Sequence, residues 1–195
     1  MKPILVIDNY DSFTYNLVHL LEAVTDQPIE VRRNDAVEPI DLANVERLVL
    51  SPGPGLPQEA GHLLELIGAA PAEMPILGVC LGMQALAVQT GGTLFQLSDV
   101  QHGIETAIDI LPAFDRLGLY AGLPNRIQVG RYHSWMVEKN SLPKCWQPTS
   151  VDDQGRIMSM THQTNPWQAV QYHPESVMTA HGKQLLQNWV FQNLP

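Results

Sequence analysis

The chain has little of what stabilises a small secreted scaffold or grips a nucleic acid. Its only cysteines in 195 residues are Cys80 and Cys145. That is too few for a disulfide framework and favours a reducing compartment. Eleven Lys and Arg stand against 20 Asp and Glu, a net charge of −9 with no basic run, so no nucleic-acid-binding face is expected. Charged residues are scarce, at 16% against 45% hydrophobic, which excludes a disordered chain and suffices for a packed core. No signal peptide is visible: Met1-Lys2 leads straight into Ile4–Ile7, and Asp8 stops that run at strand length. The stretch Met74–Ser98 carries no charge, but Gly78, Gly82, Gly91 and Gly92 break it and Gln84, Gln89 and Gln96 punctuate it. A buried strand–turn–helix–strand explains it better than a membrane span. These absences predict a soluble, acidic, cytoplasmic protein. No C-x-x-C, H-x-x-x-H or carboxylate cluster has metal-ligand spacing, and no glycine-rich phosphate loop occurs.

What is present alternates in the first half. Ile4–Asp8 reads as a strand buried on both faces, Thr14–Val24 as a helix with an apolar face, Glu30–Arg33 as a strand, and Leu48–Leu50 as another. His62–Ala69 reads as helix, Pro75–Val79 as strand, and Leu81–Gln89 as a helix stopped by Gly91-Gly92. This rhythm implies a parallel sheet covered by helices. In the second half Thr106–Ile110, Arg126–Val129 and Arg156–Met160 read as shorter strands, Ala169–Tyr172 as an apolar strand, and Lys183–Phe191 as an amphipathic helix. No linker, repeat or low-complexity segment appears. The expectation is one α/β domain over residues 1–195, a central, mostly parallel sheet flanked by helices with a smaller antiparallel annex.

Three segments carry chemistry. Gly78-Val79-Cys80-Leu81-Gly82 follows a strand and opens a helix, the G-x-nucleophile-x-G form of a nucleophile elbow with sulfur for oxygen. The helix N-terminus favours thiolate, and the N–H of Leu81 is placed for an oxyanion. The alternative is a buried structural cysteine between packing glycines. A cysteine nucleophile needs a base and the base an orienting group. Among seven histidines, His173 in His173-Pro174-Glu175 directly follows a strand, where α/β sites collect, and Glu175 is within reach of it. Ser51-Pro52-Gly53-Pro54-Gly55 also follows a strand; its prolines stiffen it and its glycines permit close approach, so an N–H of Gly53 or Gly55 is a candidate second oxyanion donor. Cys145 has no elbow and reads as structural.

Together these segments resemble the class I (triad) glutamine amidotransferases over the whole chain. The likeness is strongest to the glutaminase subunits of anthranilate synthase and aminodeoxychorismate synthase. It is carried by Asp8–Thr14, by Ser51–Gly55 with Glu59-Ala60-Gly61, by Pro75–Gly82, by Arg131-Tyr132-His133-Ser134 and by Gln171–Ser176. The resemblance implies a flavodoxin-like fold and a catalytic triad of Cys80, His173 and Glu175. It implies Leu81 and Gly53 as oxyanion donors in a substrate site that includes Pro54 and Gly55. Gln84, Ser134 and the backbone of Trp135 would hold the amino-acid end of L-glutamine. It further implies no cofactor or metal in this chain. The implied partner is a chorismate-binding synthase subunit in a heteromeric complex, with Mg²⁺ at that partner's own site. Met83 stands where the subfamily usually has His, and Ile104 where His-Gly-Lys would place Lys. The leading expectation is the ammonia-producing component of anthranilate synthase in tryptophan biosynthesis. The same component of aminodeoxychorismate synthase in folate synthesis, or one shared by both, is the nearest alternative. A non-catalytic subunit that kept the fold and a free-standing cysteine hydrolase are the other two.

Overall fold

Alternation within the first strand sets the architecture. In β1 (Ile4–Asp8) the side chains of Ile4 and Val6 enter one hydrophobic core while those of Leu5 and Ile7 enter another, as the twofold period of a strand requires. The sheet is therefore covered on both faces. The computed structural model describes residues 1–114 and 118–191, so residues 115–117 and 192–195 of the expected domain lie outside the described residues. It orders the elements as β1, α1 (Thr14–Glu22), β2 (Ile29–Arg33), β3 (Arg47–Leu50), α2 (Leu63–Ala69), β4 (Ile76–Val79), α3 (Leu81–Gln89), β5 (Leu94–Ile110), β6 (Arg126–Val137), β7 (Trp146–Asp152), β8 (Ile157–His162), β9 (Trp167–Val170) and α4 (Gly182–Phe191).

All nine strands form one sheet in the order β2-β1-β3-β4-β9-β8-β7-β5-β6. The pairs from β2 to β9 are parallel and those from β9 to β6 antiparallel. Helices α1 and α4 pack on one face through Leu17, Leu21, Leu185 and Trp189; α2 and α3 pack on the other through Leu63, Leu66 and Leu86. The expected α/β arrangement holds. The antiparallel strands extend the central sheet beyond β9.

Five strands differ from the sequence expectation by two residues or more; two of them are simply longer at the C-terminal end, β6 running past the expected Val129 to Val137 and β8 past Met160 to His162. Thr106–Ile110 is only the end of the 17-residue β5. Its earlier part is polar, largely exposed and broken by two register shifts against β6, so it lacks clean alternation. β7 has no counterpart in the sequence expectation, because Pro148 and three inward polar residues, Thr149, Ser150 and Asp152, mask its period. β9 ends at Val170, which leaves Gln171 and Tyr172 beyond the ladder.

Candidate active site

β4 and β9 are parallel neighbours with Val79 opposite Val170. Their C-terminal ends therefore bring together two segments 93 positions apart, those bearing Cys80 and His173. The N–H of Cys80 donates to the Val170 carbonyl at 2.8 Å, which anchors the turn that leaves β4.

Cys80 has φ 53° and ψ −102°, a left-handed conformation that side chains rarely adopt and that marks strain held in place by its surroundings. It caps α3, so the N–H of Leu81, in the first helical turn, has no intrahelical acceptor. The elbow glycines have a steric cause. A Cβ on Gly78 would lie 2.7 Å from the Gly82 carbonyl, and one on Gly82 would lie 2.7 Å from the Leu50 Cβ.

The Pro-Gly loop is held over this turn by the segment after β1. Asn9 is buried; its N–H donates to Ser51 Oγ at 3.0 Å and its Nδ2 to the Ser51 carbonyl at 2.9 Å. Thr14 donates to Asp8 at 2.9 Å. A Cβ on Gly53 would lie 2.6 Å from both Asn9 Cβ and Leu81 Cδ2, so this glycine is needed for close approach.

A cavity of about 190 Å³ opens above Cys80. Gly53, Pro54 and Gly55 form one side; Gln84, Ser134 and Trp135 form another, with Tyr132 and His133 completing the wall. Seven of the ten residues singled out in the sequence thus line one space. Leu81 is buried behind it, against Gly53.

His173 and Glu175 complete the cluster from below. His173 is 1% exposed, and its Nδ1 lies 2.6 Å from Glu175 Oε1. The rings of Tyr132 and Phe13 stand edge-on to the imidazole at 4.9 and 5.5 Å between centroids, shielding it from water. Burial is the largest single influence and disfavours the imidazolium. The neighbouring Cys80 and Glu175 together outweigh it and raise the imidazole to about 10. Nε2 makes no hydrogen bond of regular geometry among the described residues.

A second buried network supports the opposite wall. The Arg131 guanidinium pairs with Asp152 at 3.1 Å and donates from Nε to His133 Nε2 at 3.1 Å. His133 in turn reaches the Trp135 carbonyl from Nδ1 at 3.1 Å. Burial first, and the Arg131 charge second, pull His133 down to about 3. That carbonyl also accepts from Gln84 Nε2 at 2.9 Å, so both its lone pairs are engaged. Gln84 Oε1 is the amide atom left without a protein partner among the described residues, on a side chain that lines the cavity. Tyr132, His133 and Gln171 enter the sequence reading only as parts of motifs. A run of polar residues inside otherwise apolar strand ends was the available signal. Cys145 lies elsewhere, partly exposed beside the second core. Among the described residues, no group of three or more His, Cys, Asp or Glu is placed to hold a metal ion, and no helix is long and apolar enough to cross a membrane.

Residues 5–193 match the model for "Glutamine amidotransferase class-I". The chain is 41% identical to anthranilate synthase component 2 of Pseudomonas aeruginosa, over 97% of this chain and 95% of that protein. It is 42% identical to aminodeoxychorismate synthase component 2 of Escherichia coli, over 96% and 98% respectively. It is also 40% identical to the bifunctional protein TrpGD of Thermotoga maritima, of whose length it spans only 32%. Among solved structures, one from Thermoplasma acidophilum named for a GMP synthase superposes with a TM-score of 0.82 at 24% identity, covering 97% of this chain and 92% of that one; it shows the shared fold. With an elbow cysteine at the end of β4 and a family match over nearly its whole length, the chain belongs to the class-I glutamine amidotransferases.

Proposed function

We propose that this chain is the glutaminase component of an anthranilate synthase, releasing ammonia from L-glutamine for a chorismate-binding partner. The observation that carries the chemistry is the strained Cys80 at the N-terminus of α3 beside an imidazole that Glu175 holds at 2.6 Å. The Cys80 thiol gives its proton to His173, and the sulfur attacks the substrate carboxamide carbon. The oxygen of that group takes the charge and is met by the N–H groups of Leu81 and Gly53. Collapse expels ammonia, which takes its proton from His173 and leaves a thioester on Cys80. Water, deprotonated by the same imidazole, then releases glutamate. Glu175 keeps the ring oriented throughout.

The α-ammonium of glutamine suits Gln84 Oε1, the acceptor left over by the network described above. Ser134 stands on the same wall. Free ammonia must stay unprotonated to act as a nucleophile, which favours delivery inside a heteromeric complex. Tyr10 and Ile104 are 51% and 40% exposed, and Val177, two residues beyond Glu175, is 98% exposed. Exposed apolar side chains of this kind support a docking face beside Asn9–Phe13. Metal chemistry, in this reading, belongs to the partner, and the complex works in the cytoplasm.

The aminodeoxychorismate pathway is the second reading, because identities of 41% and 42% to the two kinds of component do not separate them. A glutamine-like diazo-ketone is expected to modify Cys80 and spare Cys145. Cys80→Ala is expected to abolish glutamine-dependent synthesis while ammonia-dependent synthesis by the partner persists. Mass mapping that finds only Cys145 modified removes the assignment. Reconstitution with each kind of synthase partner decides the pathway.

A further inference from the structure

Gln171 is 0% exposed and lies just past the end of β9, yet its side chain turns toward the nucleophile. Its Nε2 donates to Cys80 Sγ at 3.6 Å, and its Oε1 accepts from Gln84 Nε2 at 3.3 Å. The direction of these bonds follows from the backbone. The Trp135 carbonyl can only accept, so Gln84 must present Nε2 to it. The second hydrogen of that Nε2 then points to Gln171, whose oxygen must face it. Gln171 is thereby forced to present its own N–H to the sulfur.

We propose that Gln171 is a positioning residue that holds the Cys80 sulfur by an N–H bond and ties it to the substrate-gripping Gln84. The proposal deepens the glutaminase reading and rests on Cys80 being its nucleophile. A donor aimed at sulfur favours thiolate over thiol once the proton has gone to His173, and fixes the rotamer from which the sulfur attacks. The same bonds form a relay. When the substrate ammonium takes Gln84 Oε1, it polarises the Gln84 amide. That strengthens its N–H bond to Gln171 Oε1 and, in turn, the Gln171 N–H bond to sulfur. Arrival of substrate thus sharpens the nucleophile without any movement of the backbone.

The test is the pH dependence of Cys80 alkylation by iodoacetamide, read by peptide mass, in the wild type, Gln171→Met and Gln171→Glu. Loss of the donor in Gln171→Met is expected to move the Cys80 midpoint up by about one pH unit, the worth of a hydrogen bond to a charged group. Gln171→Glu, with a carboxylate against sulfur, is expected to move it further. For glutamine hydrolysis, kcat is expected to fall about tenfold in Gln171→Met, with a smaller change in KM. A merely structural role would lower Tm without moving the midpoint. Midpoints that coincide with the wild type overturn the proposal. If the buried substitutions prevent folding, the Gln171 side-chain amide resonance of the wild type answers instead. It is expected to shift over the pH range in which Cys80 ionises and to lose that response in Cys80→Ala; an amide indifferent to Cys80 overturns the proposal. A wild-type Cys80 that ignores the diazo-ketone is a different failure, because it removes the glutaminase reading and this proposal with it.

Discussion

Arg131 donates from Nε to Nε2 of His133 at 3.1 Å, so this buried imidazole can carry its proton only on Nδ1, where it donates to the Trp135 carbonyl. A second proton would displace Arg131. Burial and that cation hold the folded-state value near 3, against 6.5 for the free side chain. Between those limits the unfolded chain binds a proton that the folded one does not, so stability falls as pH falls. The loss between pH 7 and pH 5 attributable to this one group is about 2 kcal/mol. Urea titrations at the two pH values are expected to show this difference between the wild type and His133→Gln, with the variant less pH-sensitive. Equal slopes in both proteins would falsify the assignment.

His173 has the opposite sign. Its folded-state value is raised from 6.5 to about 10, so its stabilising contribution is complete below about pH 6.5 and is lost as pH climbs toward the raised value. Proton NMR of the ring is expected to find it charged at neutral pH. In Cys80→Ala the midpoint is expected to drop, because Cys80 is the first of the two neighbours that raise it. A ring that titrates normally in both proteins would leave the Cys80–His173 coupling without support.

Two arginine pairs with similar distances differ in burial. The Arg131 and Asp152 side chains are 2% and 4% exposed, whereas Arg126 and Asp109 are 50% and 47% exposed. Arg131→Met is expected to cost about 3 kcal/mol or more, because it strands a buried carboxylate with one fewer partner. Arg126→Met is expected to cost far less, because its exposed ion pairs are screened by solvent. Denaturant titration of both variants checks the ordering, which a comparable loss in each would contradict.

Gly182 opens α4 against the carbonyl of Pro174, and a Cβ there would overlap that oxygen. Gly182→Ala is expected to push the His173–Glu175 turn aside, costing about 1–3 kcal/mol of stability and slowing Cys80 labelling. Gly155→Ala is the control, with φ 71° but open space around it. Its expected cost is about 1–2 kcal/mol with labelling unchanged. Unaltered labelling in Gly182→Ala would show that the turn tolerates the displacement.

The sequence was most legible where periodicity and chemistry coincide. β1, β4 and α3 are short apolar elements with sharp punctuation, Asp8 for the first and glycines for the other two, and their limits match the expectation within a residue or so. The elbow and the Pro-Gly loop were legible because each directly follows a strand, and the His173–Glu175 pair because it comes within a few residues of the end of one. The rest was hidden by buried polarity. Tyr120, Ser150, Ser159 and Tyr172 share one hydroxyl cluster inside the core, so half of what β7 and β8 bury there looks like surface in a linear reading. Gln171 was obscured in the same way. Its role depends on what Gln84 and Trp135 do with their own hydrogen bonds, and spacing along the chain does not encode that.

The order of strands in the sheet differs from the order in which they are synthesised. β9 is the last of these nine strands to be made, yet it lies between β4 and β8. Until it emerges from the ribosome, the wholly apolar β4 is an unpaired edge. The nascent chain must carry that sticky edge through the synthesis of some 90 further residues. Closing the sheet is then a long-range event that governs both how fast the chain folds and how exposed it is to aggregation. The same event assembles the catalytic centre, so a chain cut short before β9 has neither a finished sheet nor a base for its cysteine.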